Sequence, residues 1–194
     1  VGGIREAGPA DRDAVGELLH ESFRDDPVSC WLFPEEAHRE WAHRRLFTAF
    51  LDMGLAHGTV HVTDDGAGAA VWFSVRGGAL VGEDDLGRWT EEADPGNKRL
   101  PELERLTGDL HSVDVDHAYL QAIAVAADRR GRGIGSALLE PVLDECDRLR
   151  LPAFLEASNP RSRSLYERHG FVFTGTAVRL PDGPQMWPMW REPV

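Results

Sequence analysis

"HAYLQAIAVAADRRGRGIGSALL", residues 117–139, changes character twice within a short run. Residues 117–125 are almost continuously apolar, the pattern of a strand buried in the middle of a sheet. From Ile134 onward the apolar residues recur at helical spacing, with Ile134, Leu138, Val142, Cys146 and Leu149 on one face of a helix predicted over 134–149. Between them Gly131, Gly133 and Gly135 alternate with Arg132 and Ile134. A strand passing through a glycine-rich turn into a helix is a unit of an α/β or mixed sheet. The turn also has a chemistry. A helix start leaves amide donors unsatisfied and carries partial positive charge, and glycines let the backbone approach an anion closely. Arg130 and Arg132 add charge-assisted donors, so the loop suits a pyrophosphate. It is not a Walker A loop, because it has no lysine. It is not the dinucleotide fingerprint either, because the sixth position from Gly131 is Ser136. Glycine-rich turns of this kind also occur without a ligand, so the loop alone leaves both readings open.

Outward from this unit the pattern continues. Residues 152–158 predict a strand and 160–169 a helix, with Asn159-Pro160 as N-cap and first helical residue. Residues 171–180 and 185–191 predict two strands around Pro181-Asp182-Gly183-Pro184. Pro141 is expected to kink the 134–149 helix. Upstream, 4–7 reads as a short strand, followed by a helix with Val15, Leu18, Leu19, Ser22 and Phe23 on one face. Prolines and acids in 24–36 predict a loop. A second helix over about 35–56 carries a stripe of Ala42, Leu46, Ala49, Phe50 and Met53. Residues 59–63 and 67–75 flank Asp64-Asp65-Gly66 as a hairpin. Residues 76–116 are acidic and irregular, with a short helix near 100–111. They read as an insertion within a single domain spanning 1–194, lying over a pocket or on the surface.

Composition narrows the function. A chain of 194 residues can bury one full core. A net charge of −12 argues against a nucleic-acid partner and fits an amine-bearing one, although acidity also serves plain solubility. No segment has the length of a membrane helix, and no signal peptide opens the chain, so no membrane partner is expected. Cys30 and Cys146 form no framework, which makes a reducing cytoplasm the expected location. Neither HExxH nor CxxC occurs, so no metal is expected.

"IAVAADRRGRGIGSALLE" (123–140) resembles the acetyl-CoA signature of the GNAT N-acetyltransferase superfamily, with Arg130, Gly133 and Gly135 filling its Gln/Arg-x-x-Gly-x-Gly/Ala pattern. "NPRSRSLYERHGF" (159–171) resembles the second family motif, with Asn159, Leu165, Tyr166, Gly170 and Phe171 in register. "PAFLEASNPRSRSLYERHGF" (152–171), "AAVWF" (69–73) and "LPDGPQMW" (180–187) are most similar to the puromycin N-acetyltransferase branch. The likeness is good over 117–192, looser over 1–75 and absent from 76–116. It implies an α/β (α+β) GNAT fold, a central mixed and mostly antiparallel sheet flanked by helices. Acetyl-CoA would lie in the splay between the two central strands.

The same resemblance implies roles. The backbone of Ile123, Ala124 and Val125 would take the pantetheine arm. Arg130, Gly131, Arg132, Gly133, Ile134, Gly135 and Ser136 would take the pyrophosphate, and Asn159 would contact the cofactor. Tyr166 would protonate the departing thiolate; its bland alternative is a buried aromatic whose hydroxyl has found a partner. Glu156, on the strand beside the cofactor strand, is a candidate general base, and it could equally bind the cationic acceptor or hold a structural hydrogen bond. Gln121 stands where relatives place a glutamate. Asp25, Asp26, Trp31 and Phe33, with Trp72 on the facing strand, would line the acceptor cleft. The implied activity is acetyl transfer from acetyl-CoA to a primary amine of a small molecule by direct attack in a ternary complex. An aminonucleoside or other amine-bearing antibiotic fits, with the enzyme a monomer or homodimer. Rival readings are a peptide or protein amine acetyltransferase and a non-catalytic acyl-CoA sensor.

Overall fold

In the computed structural model, which describes residues 2–111 and 114–194, the strands on either side of the glycine loop lie in the middle of a mixed sheet. In chain order the elements are β1 (Ile4–Glu6), α1 (Arg12–Phe23), α2 (Pro27–Leu32), α3 (Glu36–His57), β2 (Thr59–Thr63), β3 (Gly68–Arg76) and β4 (Ala79–Leu80). There follow α4 (Glu83–Ala93), α5 (Arg99–His111), β5 (His117–Val125), α6 (Ile134–Leu149), β6 (Ala153–Ala157), α7 (Pro160–Arg168), β7 (Val172–Phe173), β8 (Val178–Arg179) and β9 (Gln185–Arg191). The strand order is β1-β2-β3-β5-β6-β9-β7, with β4 against β3 and β8 against β9. The β5–β6 pair is parallel, and the other pairings are antiparallel.

Both faces of the sheet are covered. Leu18 and Leu19 of α1 and Phe47 and Leu51 of α3 bury against Val60, Val71 and Phe73 on one face. Ile134, Leu138 and Leu139 of α6 bury against Ala70, Trp72, Leu120 and Leu155 on the other. Gly68 allows the close approach of β3 to α6, since a Cβ there would stand 2.7 Å from Ile134 Cγ2. A third apolar cluster joins Val28 and Leu32 of α2, Leu46 of α3, Leu100 of α5 and Val178 of β8.

The expected hairpin forms, and the strand 117–125, the helix 134–149 and the strand 185–191 have the expected bounds. Four expectations are corrected. The predicted loop 24–36 contains α2: Asp26 Oδ1 accepts from the Val28 amide at 3.0 Å and Pro27 occupies the first turn. Acid-proline composition starts a helix as readily as it makes a turn. The irregular segment holds α4 as well as α5. Glu83, Asp84 and Asp85 fill the first turn of α4, where carboxylates complement the helix dipole. The predicted strand 171–180 divides into β7 and β8 about Gly175, whose φ is +102°. Leu149 is half-exposed, while Leu139 and Leu143 are buried, so the inner face of α6 is rotated from the expected stripe.

Candidate active site

The site begins with one extra residue. β5 pairs with β3 as Val71↔Ala122 and then Trp72↔Leu120, which leaves Gln121 as a bulge. A bulge bends its strand and reverses which side chains face which side. Before it, Ala118 and Leu120 pack toward α6; beyond it, Ile123 and Val125 do so, while Ala122 and Ala124 turn to the α1–α3 face. The parallel β5–β6 pairing ends at Leu120↔Leu155. From there β5 follows β3 and β6 follows β9, so the two central strands fork. Beyond the fork, the edge of β5 facing β6 has no strand pairing among the described residues, and its backbone groups can take a ligand.

A cavity of about 440 Å³ fills the fork. Ile123, Ala124 and Val125 line it, followed by Arg130, Gly131, Gly133, Ile134, Gly135 and Ser136 at the start of α6. Gly131 and Gly133 have φ of +79° and +80°, a conformation that glycine adopts without the strain a side chain would bring. No acid occupies the first turn of α6. Arg129, Arg161 and Arg168 also reach the wall. Amide donors, a helix dipole and arginines at one end of a cleft in an acidic protein fit the pyrophosphate of a CoA thioester.

At the fork stands Glu156. Its Oε2 accepts from the Tyr119 hydroxyl at 2.9 Å, while its buried Oε1 has no partner among the described residues. Tyr119 lies opposite Phe154 across the β5–β6 pair, and Glu156 follows two residues on, so both side chains share one face. Burial pushes the Glu156 carboxyl up to about 7, against the opposing pull of the Tyr119 hydrogen bond. A carboxylate of that basicity can take a proton near neutral pH. Tyr166 of α7 is buried with its ring edge toward Phe171, 6.1 Å between centroids, and it lines the cavity. Burial, with Asp26 nearby, raises its phenol above the ordinary value, so it keeps its proton and can donate.

Asn159 also lines the cavity, and it caps α7 by accepting from the Ser162 amide at 2.9 Å. Asp26 reaches the wall, but both its oxygens are engaged: Oδ1 caps α2, and Oδ2 accepts from the Ser158 hydroxyl at 2.8 Å and the Asn159 amide at 3.5 Å. The other expected acceptor residues do not line the cavity. Asp25 is exposed beside Arg24. Trp31 is a buried anchor whose indole donates to the Pro181 carbonyl at 2.8 Å, and Phe33 and Trp72 are core. The resemblance marked these aromatics for a cleft wall, and they serve packing instead. Arg132 turns back to the Asp128 carbonyl at 3.3 Å and is absent from the wall.

Phe23, Phe47, Phe50, Leu100 and Leu103 form the apolar wall in their place. Tyr119 and Ser29 are further residues the sequence reading passed over. Strand parity would have put Tyr119 beside Glu156; no linear signal marks Ser29. Neither cysteine lines the cavity, and burial pushes the Cys146 thiol up to about 11.

The family model described as acetyltransferase (GNAT) family matches residues 14–171. An uncharacterized N-acetyltransferase of Schizosaccharomyces pombe is 30% identical over 178 residues, covering 84% of this chain and 71% of that protein. The mycothiol acetyltransferase of Acidimicrobium ferrooxidans is 30% identical over 143 residues, 63% of this chain and 44% of its own length. Among solved structures, a histone acetyltransferase HPA2 and related acetyltransferase from Corynebacterium glutamicum superposes with a TM-score of 0.72 at 24% identity, covering 98% of this chain and 96% of that one. The arylalkylamine N-acetyltransferase 2 of Aedes aegypti gives 0.67 at 18% identity, with 98% of both chains covered.

Proposed function

This chain belongs to the acetyltransferase (GNAT) family and is an acetyl-CoA-dependent N-acetyltransferase; on that premise we propose that it acetylates a primary amine of a small molecule in the forked cavity. The observation that carries this reading is Glu156 at the fork, one oxygen held by Tyr119 and the other buried and unpaired among the described residues. When bound, acetyl-CoA supplies an activated acetyl group and a thiolate leaving group. The chain's own residues do the rest. The α6 amides and the arginines hold the pyrophosphate, and the free edge of β5 aligns the pantetheine arm. Glu156 takes a proton from the acceptor ammonium, which frees the amine lone pair to attack the thioester carbonyl, and the Tyr166 hydroxyl donates a proton to the leaving sulfur. With Cys146 held as a thiol away from the cavity, direct attack in a ternary complex is the route the site supports.

The finer reading is an aminonucleoside or other amine-bearing antibiotic as acceptor, in line with the puromycin-branch motifs. The names of the neighbours bear on the acceptor only as a class: agmatine and arylalkylamines are amines of small molecules. The wall of Phe23, Phe47 and Phe50 supports a compact apolar acceptor over a polypeptide.

The test is mass-spectrometric detection of acetylated product from acetyl-CoA and a pool of amines headed by puromycin. One amine is expected to be acetylated rapidly, with kcat lowered about a hundredfold or more in Tyr166→Phe while acetyl-CoA binding persists. Acetyl-CoA binding with no product from any amine would sink the small-molecule reading in favour of an acceptor of another class or a sensor.

A further inference from the structure

On α2, nearly a full turn past the cap Asp26, Ser29 lines the apolar side of the cavity. Behind it runs a chain of polar groups that the acetyl-transfer reading does not use. Ser29 Oγ lies 3.0 Å from His43 Nε2, and His43 Nδ1 lies 3.1 Å from His20 Nδ1. His20 Nε2 makes no hydrogen bond among the described residues, and Glu40 Oε1 stands 3.4 Å from it at the protein surface. Both imidazoles are buried, His20 at 1% and His43 at 0% exposure. Polar groups removed so far from water are costly unless each bond is made, so this chain requires a reason.

Its direction follows from the carboxylate. Glu40 has only lone pairs to offer, so its field favours the His20 tautomer with hydrogen on Nε2. In that tautomer His20 Nδ1 is bare and accepts from His43 Nδ1–H. His43 Nε2 is bare in turn and accepts the Ser29 hydroxyl proton. The lone pairs of Ser29 are left facing the cavity. Neutrality of His43 has its own support. Burial, His20 and the Arg39 guanidinium depress it to about 3, against the Phe23 carbonyl, which also faces it. The rings of Phe33 and Phe47 flank it. At the surface end, Glu40 also accepts from Arg44 at 3.0 Å.

The surroundings then fix what Ser29 can read. Phe23, Leu46, Phe47, Phe50, Leu100 and Leu103 make this side of the cavity apolar. Asp26, the carboxylate nearest in sequence, already accepts from the Val28 amide, Ser158 and Asn159. Glu156 is committed to the reacting amine in the proposed function, on which the present inference rests. A second ammonium on this side would have to share a carboxylate that is already hydrogen-bonded.

We propose that Ser29 is a specificity-determining hydrogen-bond acceptor, aimed by His43, His20 and Glu40, which selects apolar monoamines carrying a second donor group such as a hydroxyl or amide N–H. A site built to pair a donor rejects the analogue lacking it, because its own polar group is then left buried and unpaired.

The test compares phenethylamine, its 3- and 4-hydroxyl derivatives, the methyl ethers of both, and spermidine, with acetyl-CoA binding measured separately by calorimetry. A hydroxyl derivative is expected to exceed its parent and its ether about tenfold or more in kcat/KM, and spermidine to be the poorest. Ser29→Ala should collapse the hydroxyl-to-ether ratio to near one. Glu40→Gln, a surface change, should lower that ratio severalfold without moving the thermal midpoint, which a merely structural role would not do. Preference for an ether or for spermidine, or a ratio unchanged by Ser29→Ala, overturns the proposal while leaving acetyl transfer intact. Absence of turnover with every amine despite acetyl-CoA binding overturns the transfer reading and this proposal together.

Discussion

At Glu156 two oxygens of one carboxylate live in different surroundings. Oε2 is tied to the Tyr119 hydroxyl and Oε1 is buried without a partner among the described residues. Burial favours the protonated form and the Tyr119 bond favours the ionised one, so the group titrates near 7. A base must be ionised to act. The acid limb of kcat/KM is therefore expected to bend near pH 7 and to fall tenfold per unit below it. Tyr119→Phe removes the bond that stabilises the carboxylate, so its pKa rises and the limb moves upward by about one pH unit. A limb that moves downward, or stays in place, would show that Glu156 is not the base being read. Tyr119 was within reach of sequence reasoning, since alternation along "HAYLQ" puts it on the face that Glu156 shares. The state of Oε1 was not, because it depends on the bulge that parts the strands.

The strand–turn–helix element around Gly133 shows how one substitution type changes sign with local geometry. Gly133 caps α6 at φ +80°, where a Cβ meets its own carbonyl. Gly133→Ala is expected to cost about 1–2 kcal/mol, to lower the thermal midpoint by about 2–8 °C and to weaken acetyl-CoA binding. Gly87 lies inside α4 with open space around its Cα. Gly87→Ala should instead stabilise by about 0.5–1 kcal/mol, since alanine restricts the unfolded chain and suits a helix. Equal shifts in the two variants, read by thermal unfolding, would remove the argument from backbone conformation. The N-terminal turns of α2 and α4 carry a related lesson. Asp26-Pro27 and Glu83-Asp84-Asp85 look like breakers in the linear sequence, yet Asp26 caps α2 and the three acids complement the dipole at the start of α4.

Across the whole molecule, charge and shape divide the cavity in two. The net charge is −12, yet Arg129, Arg130, Arg161 and Arg168 gather at the end beside α6. That contrast draws an anion to one end of an acidic protein. The opposite end is apolar and partly closed by α5, which comes from the acidic segment 76–116. Leu103 of α5 reaches the cavity across the third cluster. Leu103→Ala is expected to raise the acceptor KM about tenfold while the acetyl-CoA dissociation constant stays within about twofold. Equal losses in both would reduce α5 to a stabilising element with no part in acceptor binding.

The amino-acid order by itself determined the strand 117–125, the glycine turn and the helix 134–149, because periodicity and glycine conformation act over a few residues. It also determined the family, through motifs whose spacing is fixed by that same unit. The tertiary structure decided which side chains meet. Gln121 becomes a bulge only when β5 pairs with β3, and that bulge opens the fork at Glu156. Trp31, Phe33 and Trp72 become core, and Phe47, Phe50 and Leu103 become wall, because burial depends on what packs against each face. Ser29, His43, His20 and Glu40 are scattered over three helices, and only the packing of those helices makes them one chain. Local patterns carry local structure, whereas contacts between distant elements exist only once the chain has folded.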